Sequence, residues 1–242
     1  MEIEYQLFKD VICRKGSGTD RKMINDCIQN YKYFNFTPGS IVLDLGANIG
    51  GFAHMCKHDN VEKYVGFEAD PDNFTVLSKN IPDHGIIHHA AVSHLHDDTI
   101  TFHRTPTDKG ACSGTVTPSR NTIKRRSLKY DVTNHFIDDI IELHKPTHLK
   151  MDIEGTEFYW FKLNNGKIPE CINEFALEFH NHENVYKFVE LWYDTIVEDF
   201  DIINIAHATG FRNNVPFEIP KLGIKEERGG KLWGIDIFMR RK

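Results

Sequence analysis

From Arg21 onward, the apolar positions Met23, Ile24, Cys27, Ile28, Tyr31 and Phe34 recur at three- and four-residue spacing, which predicts an amphipathic helix ended by Pro38-Gly39. The pattern then changes. Ile41-Val42-Leu43-Asp44-Leu45 is a short aliphatic run bounded by glycine, as expected of a strand buried on both faces, and a helix opens after Gly50-Gly51. Residues 63–68 read as a second strand, and Pro71, favoured in a first helical turn, opens a helix reaching about Asn80. Further strands are read at 86–92, 147–152, 175–179 and 201–206, with helical patterns between most of them. Such alternation implies a mainly parallel sheet covered on both faces. The last apolar run, 232–239, follows the sixth strand through a Gly/Pro-containing loop without a helix, so it should pair antiparallel with it. The expected fold is therefore α/β, with a doubly wound, mainly parallel seven-stranded sheet whose last strand is antiparallel.

Length and composition fit one domain spanning residues 1–242, with 1–40 as an N-terminal helical segment: 40% hydrophobic and 26% charged residues describe an ordinary globular chain. Lys plus Arg (29) against Asp plus Glu (35) gives a net charge of −6, which disfavours nucleic acid as a partner. Residues 1–10 carry charges and no long apolar run, so neither a signal peptide nor a membrane anchor is expected, and the expected location is cytoplasmic. The five cysteines are scattered and never form a Cys-x-x-Cys pair, which argues for free thiols over a disulfide framework or zinc site. Residues 104–129, rich in Thr, Ser, Pro, Gly and basic side chains, show no apolar period and read as an inserted loop, either an active-site lid or disordered. Arg120, with Lys124, Arg125 and Arg126, could draw an anionic substrate there, although a solvated basic loop is the favoured reading of them.

Asp44-Leu45-Gly46-Ala47-Asn48-Ile49-Gly50-Gly51 ends a buried strand in a carboxylate and follows it with glycines that let the backbone turn tightly against a ligand. Gly46 and Gly50 would admit the methionine portion of a nucleoside cofactor, and Asp44 could hold its cationic amino end. Ala47 and Asn48 belong to the same turn. Glu68, with Ala69 after it, ends the next strand about twenty residues on, where a carboxylate can accept both hydroxyls of a ribose. A helix-capping or surface carboxylate is the alternative for Glu68, less favoured beside the glycine turn. The same geometry serves NAD, so a Rossmann oxidoreductase stays open, although Asn48 stands where the dinucleotide fingerprint requires its second glycine. Ala90 and Ala91, after the third strand, should lie near an adenine.

Three stretches, Val42 through Gly50, Val65-Gly66-Phe67-Glu68-Ala69-Asp70-Pro71 and Leu149-Lys150-Met151-Asp152-Ile153-Glu154-Gly155-Thr156-Glu157, closely resemble the signature blocks of FkbM-type methyltransferases in order and spacing. Two weaker matches, His89-Ala90-Ala91-Val92 and Glu178-Phe179-His180, extend the resemblance over residues 41–180. It implies a class I methyltransferase fold, S-adenosylmethionine as donor, and usually a hydroxyl on a sugar or polyketide as acceptor. Residues before Ile41 and the 104–129 loop match no block, so they would shape the acceptor pocket.

Methyl transfer from a sulfonium needs alignment of donor and acceptor and removal of one hydroxyl proton. Asp152 and Glu154 end the fourth strand, at the carboxyl edge where open α/β sheets bind ligands, and strand alternation could point both the same way. Glu178 and His180 end the neighbouring strand. His180 is the expected general base with Asp152 orienting it, Glu178 beside them and Glu154 towards substrate. N-capping of the next helix by Asp152 or Glu154 is the structural alternative. Asp152, Glu178 and His180 could instead hold magnesium or manganese, a reading less favoured than metal-free catalysis; His94-x-His96 and His180-x-His182 are weaker metal pairs. Trp160, with Tyr159 and Phe161, could stack on a sugar but more simply packs in the core. Beside the O-methyltransferase stand two rivals: an NAD(P)-dependent oxidoreductase, and a catalytically idle module that keeps the cofactor and binds a partner.

Overall fold

The computed structural model describes residues 3–104, 114–116, 128–180, 182–210, 217–226 and 231–242. The chain opens on a hairpin, β1 (Tyr5–Phe8) and β2 (Val11–Arg14), before α1 (Gly18–Asn30). Lys9 and Asp10, both at positive φ (51° and 64°), make its two-residue turn. The expected N-terminal helical segment is thus corrected twice: a hairpin precedes the helix, and the helix ends at Asn30 rather than at Pro38-Gly39. Without glycine, the Lys9-Asp10 turn gives no strong sequence signal. Ser17 caps α1 by accepting from the Asp20 N–H, and buried Asp20 pairs with Arg14 at 2.7 Å, tying hairpin to helix.

The framework follows as β3 (Ser40–Leu45), α2 (Gly51–Met55), β4 (Val61–Glu68), α3 (Pro71–Leu77), β5 (Gly85–His89), β6 (Ala91–Ser93), β7 (Thr99–Arg104), β8 (Gly114–Thr115), β9 (Leu128–Phe136) and α4 (Ile137–His144). Then come β10 (His148–Met151), α5 (Glu157–Leu163), β11 (Glu174–His180), α6 (His182–Leu191), α7 (Tyr193–Asp199), β12 (Phe200–Gly210), the short pair β13 (Phe217–Ile219) and β14 (Ile224–Glu226), and β15 (Lys231–Arg241).

Seven strands form the main sheet in the order β12-β15-β11-β10-β3-β4-β5. The pairs from β11 across β10, β3 and β4 to β5 are parallel, and β15 lies antiparallel between β11 and β12. Alternation along the strands feeds both faces. Leu43, Leu45, Leu149, Phe175 and Leu177 pack with Ile137 and Ile140 of α4, Phe161 of α5 and Phe188 of α6, whereas Val42, Tyr64, Ala176 and Phe238 pack with Tyr31 and with Phe52 of α2. The chain runs outward from β3 to β5 on one side and, after returning, from β10 towards β12 on the other. The strand order therefore reverses between β3 and β10, and open α/β sheets bind ligands outside that point.

A second sheet of order β6-β9-β7-β8 was not expected. The strand read at 86–92 is two strands: β5 stays in the main sheet, the Ala90 N–H donates to the Glu68 carbonyl at 3.1 Å, and β6 turns to pair with β9. No glycine or proline separates the two halves, so the break carries none of the usual turn signals. The inserted-loop reading of 104–129 is corrected in part, since β8 and the start of β9 fall within it; the rest, including Arg120, Lys124, Arg125 and Arg126, lies outside the described residues. No helix among the described residues is long and apolar enough to cross a membrane.

Candidate functional site

The turns after β3, β4 and β10 meet where the strand order reverses. At the first, Gly46 adopts φ +82°, and a side chain there would drive its Cβ to 1.8 Å from the Asp152 carbonyl oxygen, so only glycine lets β3 and β10 end side by side. The backbone N–H groups of Gly46 and Ala47 donate to the Phe67 carbonyl, that of Asn48 to Glu68, that of Ile49 to the Asn48 side chain and that of Gly50 to the Ala47 carbonyl. Every N–H from 46 to 50 is therefore bonded within the protein, leaving none of them to cradle a pyrophosphate as a dinucleotide turn does.

Two cavities flank this turn. The first, a narrow slot of about 70 Å³, is lined by Gly46, Asn48, Glu68, Ala69, Ala90, Ala91 and Asp152 among others, a set gathered from four separate turns. Glu68 is 8% exposed; its Oε2 accepts from the Asn48 N–H (2.7 Å) and its Oε1 from the Asp70 N–H (2.8 Å). Each oxygen keeps a further acceptor position, which suits a ribose diol. Burial, only partly offset by those two N–H groups, pushes the Glu68 carboxyl up to about 7. Phe67, Val92 and Phe102 give the slot an apolar wall fit for a purine. Phe102 and its neighbour Gly114, whose Cβ would strike the Phe102 ring at 2.2 Å, come from the unexpected second sheet. The alternation Thr99-Ile100-Thr101-Phe102 was the available signal for that wall.

The second cavity, about 360 Å³, shares Gly46, Asn48, Asp152 and Glu154 with the first and adds Ala47, Glu178, Asp236, Asp26, Asn30 and Tyr31. Asp236 was missed by the sequence reading. A lone carboxylate inside the apolar strand Ile235-Asp236-Ile237 was its signal, since strands bury charge only for a reason. At the edge of this cavity His180 is ringed by carboxylates. Its Nε2 lies 3.2 Å from Glu178 Oε1, 3.4 Å from Glu154 Oε2 and 3.8 Å from Asp152 Oδ1, and its Nδ1 lies 3.4 Å from Glu157 Oε1.

Burial lowers the His180 pKa, but Glu154, Glu157 and Glu178 outweigh it and hold it well above the ordinary histidine value. Burial and Glu178 push Asp152 well up; burial, reinforced by Glu178, pushes Glu154 up to about 7; burial and Glu178 push Asp236 up to about 8. Burial opposes the ionised form of Glu178 as well, but its hydrogen bond with His180 prevails and lowers its pKa. The expectation of His180 as a base free at neutral pH is thereby corrected: the surrounding carboxylates keep its proton on. Among the carboxylates facing His180, Glu154, on the wall shared by both cavities, is poised near neutrality.

Three further assignments change. Asp44 lines neither cavity; it is fully buried, accepts from Lys150 Nζ at 3.0 Å and the Tyr64 hydroxyl at 2.6 Å, and cannot reach a cofactor's amino end. Gly50 (φ +88°) packs on α3, where a Cβ would lie 2.8 Å from Asn80 Cβ, and it too is absent from both linings. Trp160 is fully buried with its indole N–H donated to Asp138 at 2.7 Å, so it is core and not a sugar platform. Trp160→Phe is expected to lower stability by about 1–2 kcal/mol through that lost charged hydrogen bond, read by urea melts, and to leave S-adenosylhomocysteine affinity unchanged. A change in affinity without one in stability would return Trp160 to the site.

Neither Asp152 nor Glu154 caps α5; Thr156 stands at the cap position and makes no side-chain cap bond. His94 stacks on Tyr159 (4.6 Å) and His96 on Phe136 (3.8 Å), which accounts for both rings. Asp152, Glu178 and His180 do converge, their ligand atoms all within 4.8 Å of one another.

No curated protein matches the chain by sequence. Among solved structures, TYW2 of M. jannaschii in complex with AdoMet is similar at 10% identity, covering 99% of this chain and 87% of that one with a TM-score of 0.45. TYW2 of P. horikoshii in complex with MeSAdo aligns at 11% identity over 99% and 71% with a TM-score of 0.49, and Trm5b of Pyrococcus abyssi at 10% over 99% and 56% with 0.48. At such identities and scores nothing about this chain's substrate follows from them. The family described as methyltransferase FkbM domain matches residues 44–201. That stretch carries Glu68, Asp152, Glu154 and Glu178, which form the shared wall and both ends of the paired cavities, together with His180 beside them, and the chain belongs to the FkbM-domain methyltransferase family.

Proposed function

We propose that this chain is an S-adenosylmethionine-dependent O-methyltransferase acting on a hydroxyl group of a sugar or glycan. The observation that carries the proposal is the common wall: Asp152 and Glu154 border both the slot that ends at Glu68 and the larger cavity beyond it. When bound, the donor supplies a methyl group on a cationic sulfonium. Glu68 would hold its ribose, Phe67, Ala90 and Val92 its adenine, and the Gly46-Ala47-Asn48 turn would border its methionine part.

The larger cavity presents Asp26, Asn30, Glu178 and Asp236, side chains that accept or donate hydrogen bonds, and a polyhydroxylated acceptor matches so many polar groups in one space. Glu154 takes the acceptor's hydroxyl proton, its carboxyl lying near neutrality, and His180 steadies the resulting charge balance among the carboxylates. With a donor held on one side of Glu154 and an acceptor on the other, alignment supplies most of the acceleration.

Calorimetric titration with S-adenosylhomocysteine, then transfer of labelled methyl to a panel of sugars and amines, tests this reading. Glu154→Gln is expected to lower kcat about 100-fold with little change in S-adenosylhomocysteine affinity. No nucleoside binding would sink the proposal, and methylation of amines alone would remove the hydroxyl acceptor. Cofactor binding with no transfer to any acceptor would favour an idle binding module.

A second reading rests on the convergence of Asp152, Glu178 and His180, whose oxygen-rich set suits magnesium or manganese. It ranks below the first because a cation there must displace the proton that the carboxylates hold on His180. Activity undiminished by exhaustive chelation eliminates it; loss restored by manganese and not by sodium establishes it.

A further inference from the structure

We propose that Glu157 is the positioning residue of this site, a buried carboxylate that fixes the His180 ring and the turn carrying Glu154 at once. The inference rests on the methyltransferase reading for its consequence but on geometry alone for its substance. Glu157 opens α5 and is 0% exposed, so its carboxyl oxygens must be met by partners inside the protein. Three are in place: the Ile153 N–H donates to Oε1 at 2.8 Å, the Gly155 N–H to Oε2 at 2.7 Å, and His180 Nδ1 lies 3.4 Å from Oε1.

The two backbone partners flank a stretch of unusual conformation. Glu154 has φ +56° and Gly155 φ +112°, so the chain after Asp152 turns back on itself around the Glu157 carboxylate. A non-glycine residue held in the left-handed region persists only where its surroundings over-determine it. Here those surroundings are the two N–H bonds, with the Thr115 hydroxyl donating to the Glu154 carbonyl at 2.7 Å from the other side. Glu157 thus sets where the Glu154 carboxylate stands on the wall between the cavities.

The third partner settles which ring atom of His180 faces the chemistry. Glu157 Oε1 already accepts from the Ile153 N–H, so Nδ1 meets the same oxygen by presenting a hydrogen to it. Nε2 is then the atom turned to Glu154, Glu178 and Asp152. Rotation of the ring by half a turn would break the Nδ1 contact and leave a buried carboxylate short of a partner. A histidine acting beside a cofactor is oriented in the same way whether it handles a proton or a cation, by a carboxylate on its far nitrogen.

Nitrogen-15 NMR of histidine-labelled protein at one neutral pH tests the proposal without any acceptor. In the wild-type protein His180 is expected to show a hydrogen-bonded, downfield Nδ1–H; an Nδ1 without hydrogen overturns the proposal outright, whatever any variant does. In Glu157→Gln that signature should be lost, while Glu178→Gln should keep it. A downfield, hydrogen-bonded Nδ1–H shift left unmoved in Glu157→Gln also overturns the proposal, since a protonated His180 keeps hydrogen on Nδ1 with or without that bond. Should Glu157→Gln fail to fold, Glu157→Asp gives the same readout, its shorter side chain keeping the charge but not the reach. S-adenosylhomocysteine titration of the wild-type protein reports separately: absent binding there removes the methyltransferase reading and leaves the His180 result standing by itself.

Discussion

Asp44→Ala is expected to lower the unfolding free energy by about 3–5 kcal/mol, the cost of leaving one member of a buried ion pair alone. Lys150 is 3% exposed and Asp44 fully buried, with 3.0 Å between Nζ and Oδ1. Burial draws the Lys150 pKa down, yet Asp44 and Asp152 outweigh it and hold the ammonium charged. The ammonium also donates to the Gly46 carbonyl at 2.8 Å, so the pair pins the turn after β3 to the end of β10, where both cavities begin. Without Asp44 the Tyr64 hydroxyl also loses its acceptor, 2.6 Å away in the wild-type protein. The double variant Asp44→Ala/Lys150→Met should recover most of the loss, because the stranded charge goes with the lysine. Urea denaturation of the two single variants and the double variant reads all three. A loss below about 1 kcal/mol for Asp44→Ala, together with abolished S-adenosylhomocysteine binding, would make Asp44 a cofactor ligand after all.

Asp44 also shows where sequence reasoning stops. A carboxylate at the end of a buried strand before a glycine turn is chemically able to hold an ammonium, and it does hold one, but the ammonium belongs to Lys150 of the neighbouring strand. Strand pairing decides that partnership, and pairing between residues 106 apart is not written in local pattern. Gly50 fails for the same reason: its positive φ was foreseeable, whereas the surface it meets, Leu77 and Asn80 of the α3 region, depends on how α3 returns to β3.

What was legible lies mostly in the parallel strands. Long aliphatic runs such as Ile41-Val42-Leu43 and Phe175-Ala176-Leu177 have few alternatives to a doubly covered strand, and the carboxyl edge of such strands is where chemistry collects. Asp152, Glu154, Glu178 and His180 followed from that rule together with the blocks that resemble the family. The second sheet was missed because its strands are half exposed and read as polar, although Tyr130, Val132 and Asn134 alternate with exposed or partly exposed residues. Its consequence is functional, since it provides Phe102 as one wall of the slot. The charge state of His180 was missed for another reason. Each carboxylate was visible singly, but four of them within 3.8 Å of one ring is a property of the assembled turns.

For the cofactor, Glu68→Gln should weaken S-adenosylhomocysteine binding about 100-fold or more, since two hydroxyl bonds to a charged acceptor are each worth about 1.5–3 kcal/mol. The pH dependence identifies the group. Its carboxyl sits at about 7 in the ligand-free protein, because burial opposes ionisation. Its pKa is thus raised on folding, so ionising it costs stability as pH rises from the ordinary carboxylate range to about 7. A diol that donates both hydrogens favours the ionised form and pulls the pKa down on binding. Affinity should then be level above about pH 7 and fall below it, approaching about tenfold per unit, with proton release on binding in that window. Calorimetry in two buffers of different ionisation enthalpy reads that proton directly. Glu68→Gln cannot ionise, so its weaker binding should lose this component of the pH dependence. A wild-type affinity that does not change across the window would mean that Glu68 braces the Asn48 and Asp70 turns and touches no ribose, and the donor's orientation in the slot would have to be reassigned.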